Sequence, residues 1–313
     1  MCQGLSQCSA VCYTVPMIVS VSRRCDIPRF QFKWFMGRLN AGFVNAVNPF
    51  NARQIKRVSL VPGRGMKPEA INPEAANPEA VKAEGAKPED GLDALVFWTR
   101  DPRNVLANAE ELEKRGVPYY IMVTVTGYPD ILEPSMVRTQ KVLRAMKELA
   151  QKIGPDRVIW RYDPVLLSSV TDEDFHRGNF NMLAQSLSGS VRRVIVSVYS
   201  EYKGSVQRLG ALERMGALRM IKAGANLGEL LADLAQSAGA AGMEIQSCAA
   251  KEDYSQFGIK AGACIDAALI GKLWGLEFSG KDKNQRPHCL CCKSVDIGGY
   301  RICDAHCVYC YAW

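Results

Sequence analysis

Residues 92–127 read LDALVFWTRDPRNVLANAEELEKRGVPYYIMVTVTG. The run Leu92–Trp98 is nearly all apolar and short, which predicts a strand buried on both faces. Asp101-Pro102 then opens a helix that ends near Gly116, and Tyr119–Val125 returns as a second apolar strand. A strand, a crossover helix and another buried strand make a parallel βαβ unit. The same alternation continues outward. Met17–Val21, Arg157–Arg161, Val194–Tyr199 and Met243–Ser247 predict further strands. Phe32, Phe35, Met36 and Leu39 share one helix face that stops before Gly42, and Val142, Met146, Leu149 and Ile153 share another, closed by Gly154. Thr171 with Asp174, and Asn226 with Glu229, read as capping pairs of two more helices, and a last one lies near Ile265–Trp274. Phe43–Val47 and Lys56–Val61 fit an added hairpin. The expected fold is α/β, a TIM-like (β/α) barrel, complete or partial. A doubly wound sheet would place a glycine-rich turn after an early strand, whereas SVSRRCDIP follows Met17–Val21.

Two segments stand outside this alternation. Residues 1–16 show no period and are expected to be an irregular extension, with Met17 a candidate start. Residues 66–91 carry a five-residue repeat (KPEAI, NPEAA, NPEAV, KAEGA, KPEDG) whose prolines and low apolar content predict a flexible insert. The barrel domain is thereby expected over 17–278, and a cysteine-rich segment over 279–313.

With 39 Lys+Arg against 32 Asp+Glu the net charge is +7, which suits an anionic substrate or nucleic acid without selecting either. No apolar run approaches the ~18–20 residues of a membrane span, so no membrane association is expected. The twelve cysteines are uneven: Cys2, Cys8, Cys12 and Cys25 come early, and no other appears before Cys248. Crowded thiols in a long chain fit metal ligation in a reducing compartment, the cytoplasm, better than disulfides. Three histidines, His176, His288 and His306, are too few for a histidine-built zinc centre.

In parallel barrels chemistry gathers where strands end. There the sequence offers Ser22, Arg23, Arg24 and Asp26; Thr99, Arg100 and Asp101; Thr124 and Thr126; Arg161 and Asp163; Ser197, Tyr199, Ser200 and Glu201; and Gln246, Ser247 and Cys248. Singly, each is suited to capping or ion pairing; together they define a polar rim. Arg23, Arg24, Arg100, Arg161 and Asp163 are candidates for holding an anionic substrate or cofactor.

The tail holds the sharpest motif. Cys303, Cys307 and Cys310 have the spacing C-x3-C-x2-C, and three thiolates so placed can hold three corners of a [4Fe–4S] cluster, leaving one iron open. Cys248, Cys264, Cys289 and Cys291, with Cys292 as competitor, are candidates for a second iron–sulfur cluster. Cys289 and Cys291 are two apart, so an extended chain points both to one side and Cys292 to the other. Cys25 is expected to be incidental. The alternative is a zinc-stabilised nucleic-acid-binding protein in which Cys289, Cys291, Cys307 and Cys310 close a tetrahedron.

The segment CDAHCVYCYA resembles the cluster loop of radical S-adenosylmethionine enzymes, and is similar to the spore photoproduct lyase-like branch. SVSRRCDIP, NPFN, VFWTRDP, WRYDP, CID and SVDIGGY resemble an uncharacterised bacterial family that carries this motif near its C-terminus, over residues 17–313 without the insert. The resemblance implies Cys303, Cys307 and Cys310 as cluster ligands, S-adenosyl-L-methionine on the open iron, and Tyr309 packed by its adenine. It further implies a 5′-deoxyadenosyl radical that abstracts hydrogen from an unidentified substrate, with a reductant such as ferredoxin or flavodoxin. Because that loop normally follows the first barrel strand, the resemblance implies a circularly permuted barrel with 294–297 in first place. Two departures accompany it: no glycine-glycine-glutamate segment follows the second strand, and the sequence stops three residues after Cys310, which is expected to reduce shielding of the cluster.

Overall fold

The computed structural model describes residues 17–63, 91–224, 226–283 and 285–313; the extension 1–16 and the repeat insert, apart from Gly91, lie outside them. Its strands are β1 (Met17–Val21), β2 (Phe43–Asn48), β3 (Asn51–Ser59), β4 (Leu92–Thr99), β5 (Tyr119–Thr124), β6 (Val158–Val165), β7 (Arg193–Val198), β8 (Glu244–Cys248), β9 (Lys260–Gly262) and β10 (Val295–Asp296). The helices are α1 (Ile27–Phe30), α2 (Phe32–Ala41), α3 (Arg103–Ala107), α4 (Ala109–Lys114), α5 (Thr139–Ile153), α6 (Glu173–Leu187), α7 (Lys203–Arg214), α8 (Leu227–Ala240) and α9 (Ala267–Trp274).

Eight strands form one parallel sheet in the order β10-β1-β4-β5-β6-β7-β8-β9, while β2 and β3 make a separate antiparallel hairpin. Apart from that hairpin, each strand from β1 to β9 lies beside its successor in the sheet. Among the described residues no pairing joins β9 to β10, so the row is open by hydrogen bonding. The last strand of the chain caps the row beside the first, with Val19 opposite Val295 and Ser20 opposite Asp296.

Alternation along the strands sorts the core into two layers. Val19, Val21, Leu95, Phe97, Ile121, Val123, Trp160 and Val194 pack with residues of the surrounding helices, such as Phe35, Leu112, Leu149, Phe180 and Leu234. The opposite face, Ile18, Val96, Trp98, Tyr120, Met122, Ile159 and Ile195, packs on Leu269 and Ile270 of α9 and on Cys248, Cys264, Cys289, Cys291 and Cys292. Both faces are therefore buried, which is why the strands read as unbroken apolar runs. Among the described residues no helix is long and apolar enough to cross a membrane.

Several local expectations shift. The helix after Asp101-Pro102 is two short helices, α3 and α4, meeting at Asn108. The cap of α6 is Asp172, whose side chain accepts from Phe175 N, while Thr171 Oγ1 donates to Leu166 O. Asn226 makes no side-chain cap bond to α8. Strand β6 runs past Arg161 through Asp163-Pro164 to Val165, with its register shifting between Tyr162 and Val165 so that the proline's missing N–H is accommodated.

Candidate functional site

The two sulfur-rich regions fall in different side-chain clusters. Cys303, Cys307 and Cys310 share one side-chain cluster with Tyr128, Leu132, Leu209 and Tyr309. The loop that carries them is tied down at several points. Val308 N donates to Leu132 O at 3.0 Å, and Arg208 donates from Nε to Val308 O (2.8 Å), from Nη1 to Trp313 O (2.9 Å), and from Nη2 to Cys310 O. Upstream, Asp296 is its anchor. This carboxylate accepts from Ser20 Oγ (2.8 Å), Ser22 Oγ (2.5 Å), Arg23 N (2.8 Å) and Gly298 N (3.0 Å), fixing β10 and the residues after it to the end of β1. Gly298 must stay small: a Cβ there would collide with the Ser22 side chain and Cys25 Sγ. Cys25 thus marks close packing of the loop on the β1 end, and burial pushes its thiol up to about 11.

Behind the loop lies a buried polar network. Glu133, 3% exposed, accepts from Arg100 Nη1 at 2.9 Å, from Thr126 Oγ1 and from the Tyr309 hydroxyl, while Arg100 Nη2 donates to that hydroxyl. Tyr309 is itself buried, edge-on to Tyr128 at 5.8 Å, so the structure gives it a role in holding the loop. A cleft of about 230 Å³ opens beside this network, lined by Arg100, Thr124, Thr126, Tyr128 and Glu133 among others.

Burial and a few polar contacts compete at these thiols. Burial pushes Cys307 up to about 12, opposed first by the Arg100 guanidinium. Burial likewise raises Cys303, whose sulfur accepts from the backbone N–H groups of Ala305 and Asp26, and Ala312 N donates to Cys310 Sγ at 3.3 Å. The N–H groups and the nearby cation offset burial only in part, so both Cys303 and Cys307 are held on the thiol side until a metal displaces the proton.

The second region lies where β8 and β9 end. Cys248 and Cys264 stand with sulfurs 3.1 Å apart, and Ile265 N donates to Cys291 Sγ at 3.3 Å. The nearby Cys264 and Cys289 thiols lower the titration of Cys291 against the effect of burial, and Cys264 and Cys289 are raised in turn. Cys292 turns the other way, bonding Ile265 O at 3.5 Å, and burial pushes its thiol up to about 11. The four thiols lie in one buried side-chain cluster. Among the described residues no three His, Cys, Asp or Glu side chains surround one ion-sized point, and every described cysteine is free of a disulfide. Cys289 and Cys291 fall in a different side-chain cluster from Cys307 and Cys310, so the tetrahedron of the zinc alternative is not assembled.

Most rim residues have structural partners. Arg161 pairs with Asp163, which also accepts from Ser197 Oγ. Asp26 caps α1 through Arg29 N and accepts from Thr99 Oγ1 (2.7 Å) and Arg100 N (2.8 Å). Asp101 pairs with Arg103 at 2.7 Å, and Tyr199 meets Ser205 at 2.8 Å. Arg23 approaches Asp296 at 3.5 Å and lends its carbonyl to the Tyr311 hydroxyl at 2.6 Å. Three rim atoms are buried without partners: Trp98 Nε1, Arg161 Nε and Gln246 Oε1. Sequence reasoning did not single out Glu133, Arg208 or Asp296. Asp296 lies inside the SVDIGGY motif, but nothing local in sequence distinguishes Glu133 or Arg208.

The fold and site define a class: an α/β protein with a parallel eight-stranded sheet and a cysteine-rich tail packed on its strand ends. Residues 18–312 match the family described as a domain of unknown function, DUF1848, and the chain belongs to that family. Comparison with curated proteins finds no match.

Proposed function

We propose that this protein is a radical S-adenosylmethionine enzyme, built on a circularly permuted (β/α) barrel and working in the cytoplasm. The observation that carries the reading is the C-x3-C-x2-C loop, which Arg208, Asp296 and the Arg100–Glu133–Tyr309 network fasten to the strand ends. Cys303, Cys307 and Cys310 would hold three irons of a [4Fe–4S] cluster. When bound, that cluster with its open iron supplies the electron that splits S-adenosylmethionine into methionine and a 5′-deoxyadenosyl radical. The protein's own part is positional. Arg100 offsets the negative charge of the thiolates, and Glu133 holds Arg100 and Tyr309 in place. Of the three sulfurs' residues, Cys307 is buried and Cys303 and Cys310 are half-buried.

A rotated barrel accounts for the position of β10. The strand that precedes the loop stands first in the row, beside β1. In radical enzymes of the ordinary arrangement the loop follows the first strand, and rotating the chain keeps that spatial relation. A small reductant, ferredoxin or flavodoxin, is the proposed electron donor. The substrate class stays open between an anion and a nucleic acid. The rim guanidiniums of Arg23, Arg100 and Arg161 already face carboxylates, so their charge gives neither choice an advantage.

The test is anaerobic. Iron-loaded, reduced protein is incubated with S-adenosylmethionine, and 5′-deoxyadenosine and methionine are measured. The expectation is cleavage by wild type and none by Cys307→Ala. Fully loaded wild type that neither binds nor cleaves S-adenosylmethionine overturns the reading.

A further inference from the structure

Four thiols from three separate stretches of chain meet on the face of the sheet opposite the helix-packed core: Cys248 at the end of β8, Cys264 just after β9, and Cys289 with Cys291 from the tail. Burying four cysteines in contact has a bland explanation, since free Cys packs as a small apolar residue. Their surroundings argue against it. Arg161 turns its positive charge toward Cys264 and Cys248, and its Nε is buried without a partner. Gln246 shares a strand face with Cys248, and its Oε1 is buried and unpaired. Gln285 donates through Nε2 to Cys291 O at 2.9 Å, yet its Oε1 is also buried and unpaired. Ile265 N points at Cys291 Sγ. A purely apolar packing of thiols gives no reason for a backbone N–H to be aimed at one sulfur and a guanidinium N–H to be left without a partner near two others.

We propose that Cys248, Cys264, Cys289 and Cys291 ligate a second iron–sulfur cluster, separate from the one at Cys303, Cys307 and Cys310. All four protein ligands are thiols, so this centre would have no open iron and no site for S-adenosylmethionine. Binding removes the thiol protons, and with them the hydrogen bond that now links Cys264 to Cys248. Cys292 is left out because its Sγ faces Ile265 O on the other side of the chain. The consequence for the fold is attachment: the segment 285–292 is joined through metal to the ends of β8 and β9.

The proposal extends the radical-enzyme reading but is tested apart from it. Protein is reconstituted anaerobically with iron and sulfide, and iron, sulfide and zinc are measured per chain. Reduced samples are examined by electron paramagnetic resonance, and folding is followed by circular dichroism. Cys303→Ala/Cys307→Ala/Cys310→Ala, which removes the first cluster, is expected to keep about half of the wild-type iron and sulfide and a paramagnetic signal. Cys264→Ser/Cys291→Ser is expected to lose the other half while still binding S-adenosylmethionine. A folded triple variant without iron, or one that retains zinc in place of iron and sulfide, overturns the proposal. Wild-type iron that does not fall in Cys264→Ser/Cys291→Ser overturns it as well, without needing the triple variant to fold. Failure of the first reading looks different: iron persists in the triple variant, and S-adenosylmethionine binds to no form of the protein.

Discussion

Replacing Asp296 by Asn tests how the tail is held. One carboxylate oxygen accepts from Ser22 Oγ and Gly298 N, the other from Ser20 Oγ and Arg23 N. Asn offers one oxygen and one NH2, so whichever way the amide turns, one backbone N–H faces another donor. The serine hydroxyl on that side can rotate and accept. The loss is then one charge-assisted bond from a backbone N–H, about 1.5–3 kcal/mol. Arg23 and Arg24 approach the carboxylate at 3.5 and 3.9 Å with side chains 26% and 21% exposed, so losing their attraction adds under about 1 kcal/mol. The damage is local, because the hydrogen bonds of Asp296 reach only the β1 end and its own loop. A loosening of about 2–3 kcal/mol raises amide exchange over Ser294–Trp313 about 30- to 150-fold. Hydrogen-exchange mass spectrometry of Asp296→Asn beside wild type reads this directly, with β5, β6 and β7 as internal references. Unchanged protection of the tail in a folded Asp296→Asn protein refutes the anchoring role.

His176 is fully buried, with Nε2 against Leu166 O at 3.1 Å and Nδ1 against the Tyr162 hydroxyl at 2.8 Å, and burial holds it down at about 4. The unfolded chain takes up a proton near pH 6.5 that the native state refuses until about 4, so stability falls as pH drops through that window, by up to about 3 kcal/mol. Urea unfolding from pH 7 to pH 4 should show this fall in wild type and a shallower one in His176→Gln; parallel curves would remove His176 as the cause. Deleting Lys67–Asp90 should change the melting temperature little, because Gly63 and Gly91 already lie side by side, with Gly63 N donating to Leu92 O at 2.8 Å, and shortening a loop alters closure entropy only slightly. A large drop in melting temperature would show that the repeat is part of the packed structure.

The strands were legible where both faces are buried. Leu92–Thr99 and Tyr119–Thr124 are continuous apolar runs because helices cover one side and the 264–292 segment the other. What stayed hidden lacks such a run. Strand β9, Lys260–Gly262, has three residues and no apolar pattern, and β3 begins at Asn51 with a polar, exposed stretch. Helix α7 carries Gly204 and Gly210 among charged residues, so its buried face shows only Ser205 and Leu209. The loop cysteines could be read from spacing alone. Their support could not, because Glu133 and Arg208 reach Tyr309 and Cys310 from 176 and 102 residues away.

The pairing of β10 with β1 also sets an order of assembly during translation. Ser20 and Asp296 are 276 residues apart, a distance that takes a ribosome about 15–55 s to cover. Through that interval the outer edge of β1 offers unpaired N–H and C=O groups while the strands from β4 onward are already able to join its other side. An open parallel edge is a template for a stray strand from another nascent chain. Ser22 Oγ and Arg23 N at the end of that edge find their partner only when Asp296 of the chain's own last strand arrives.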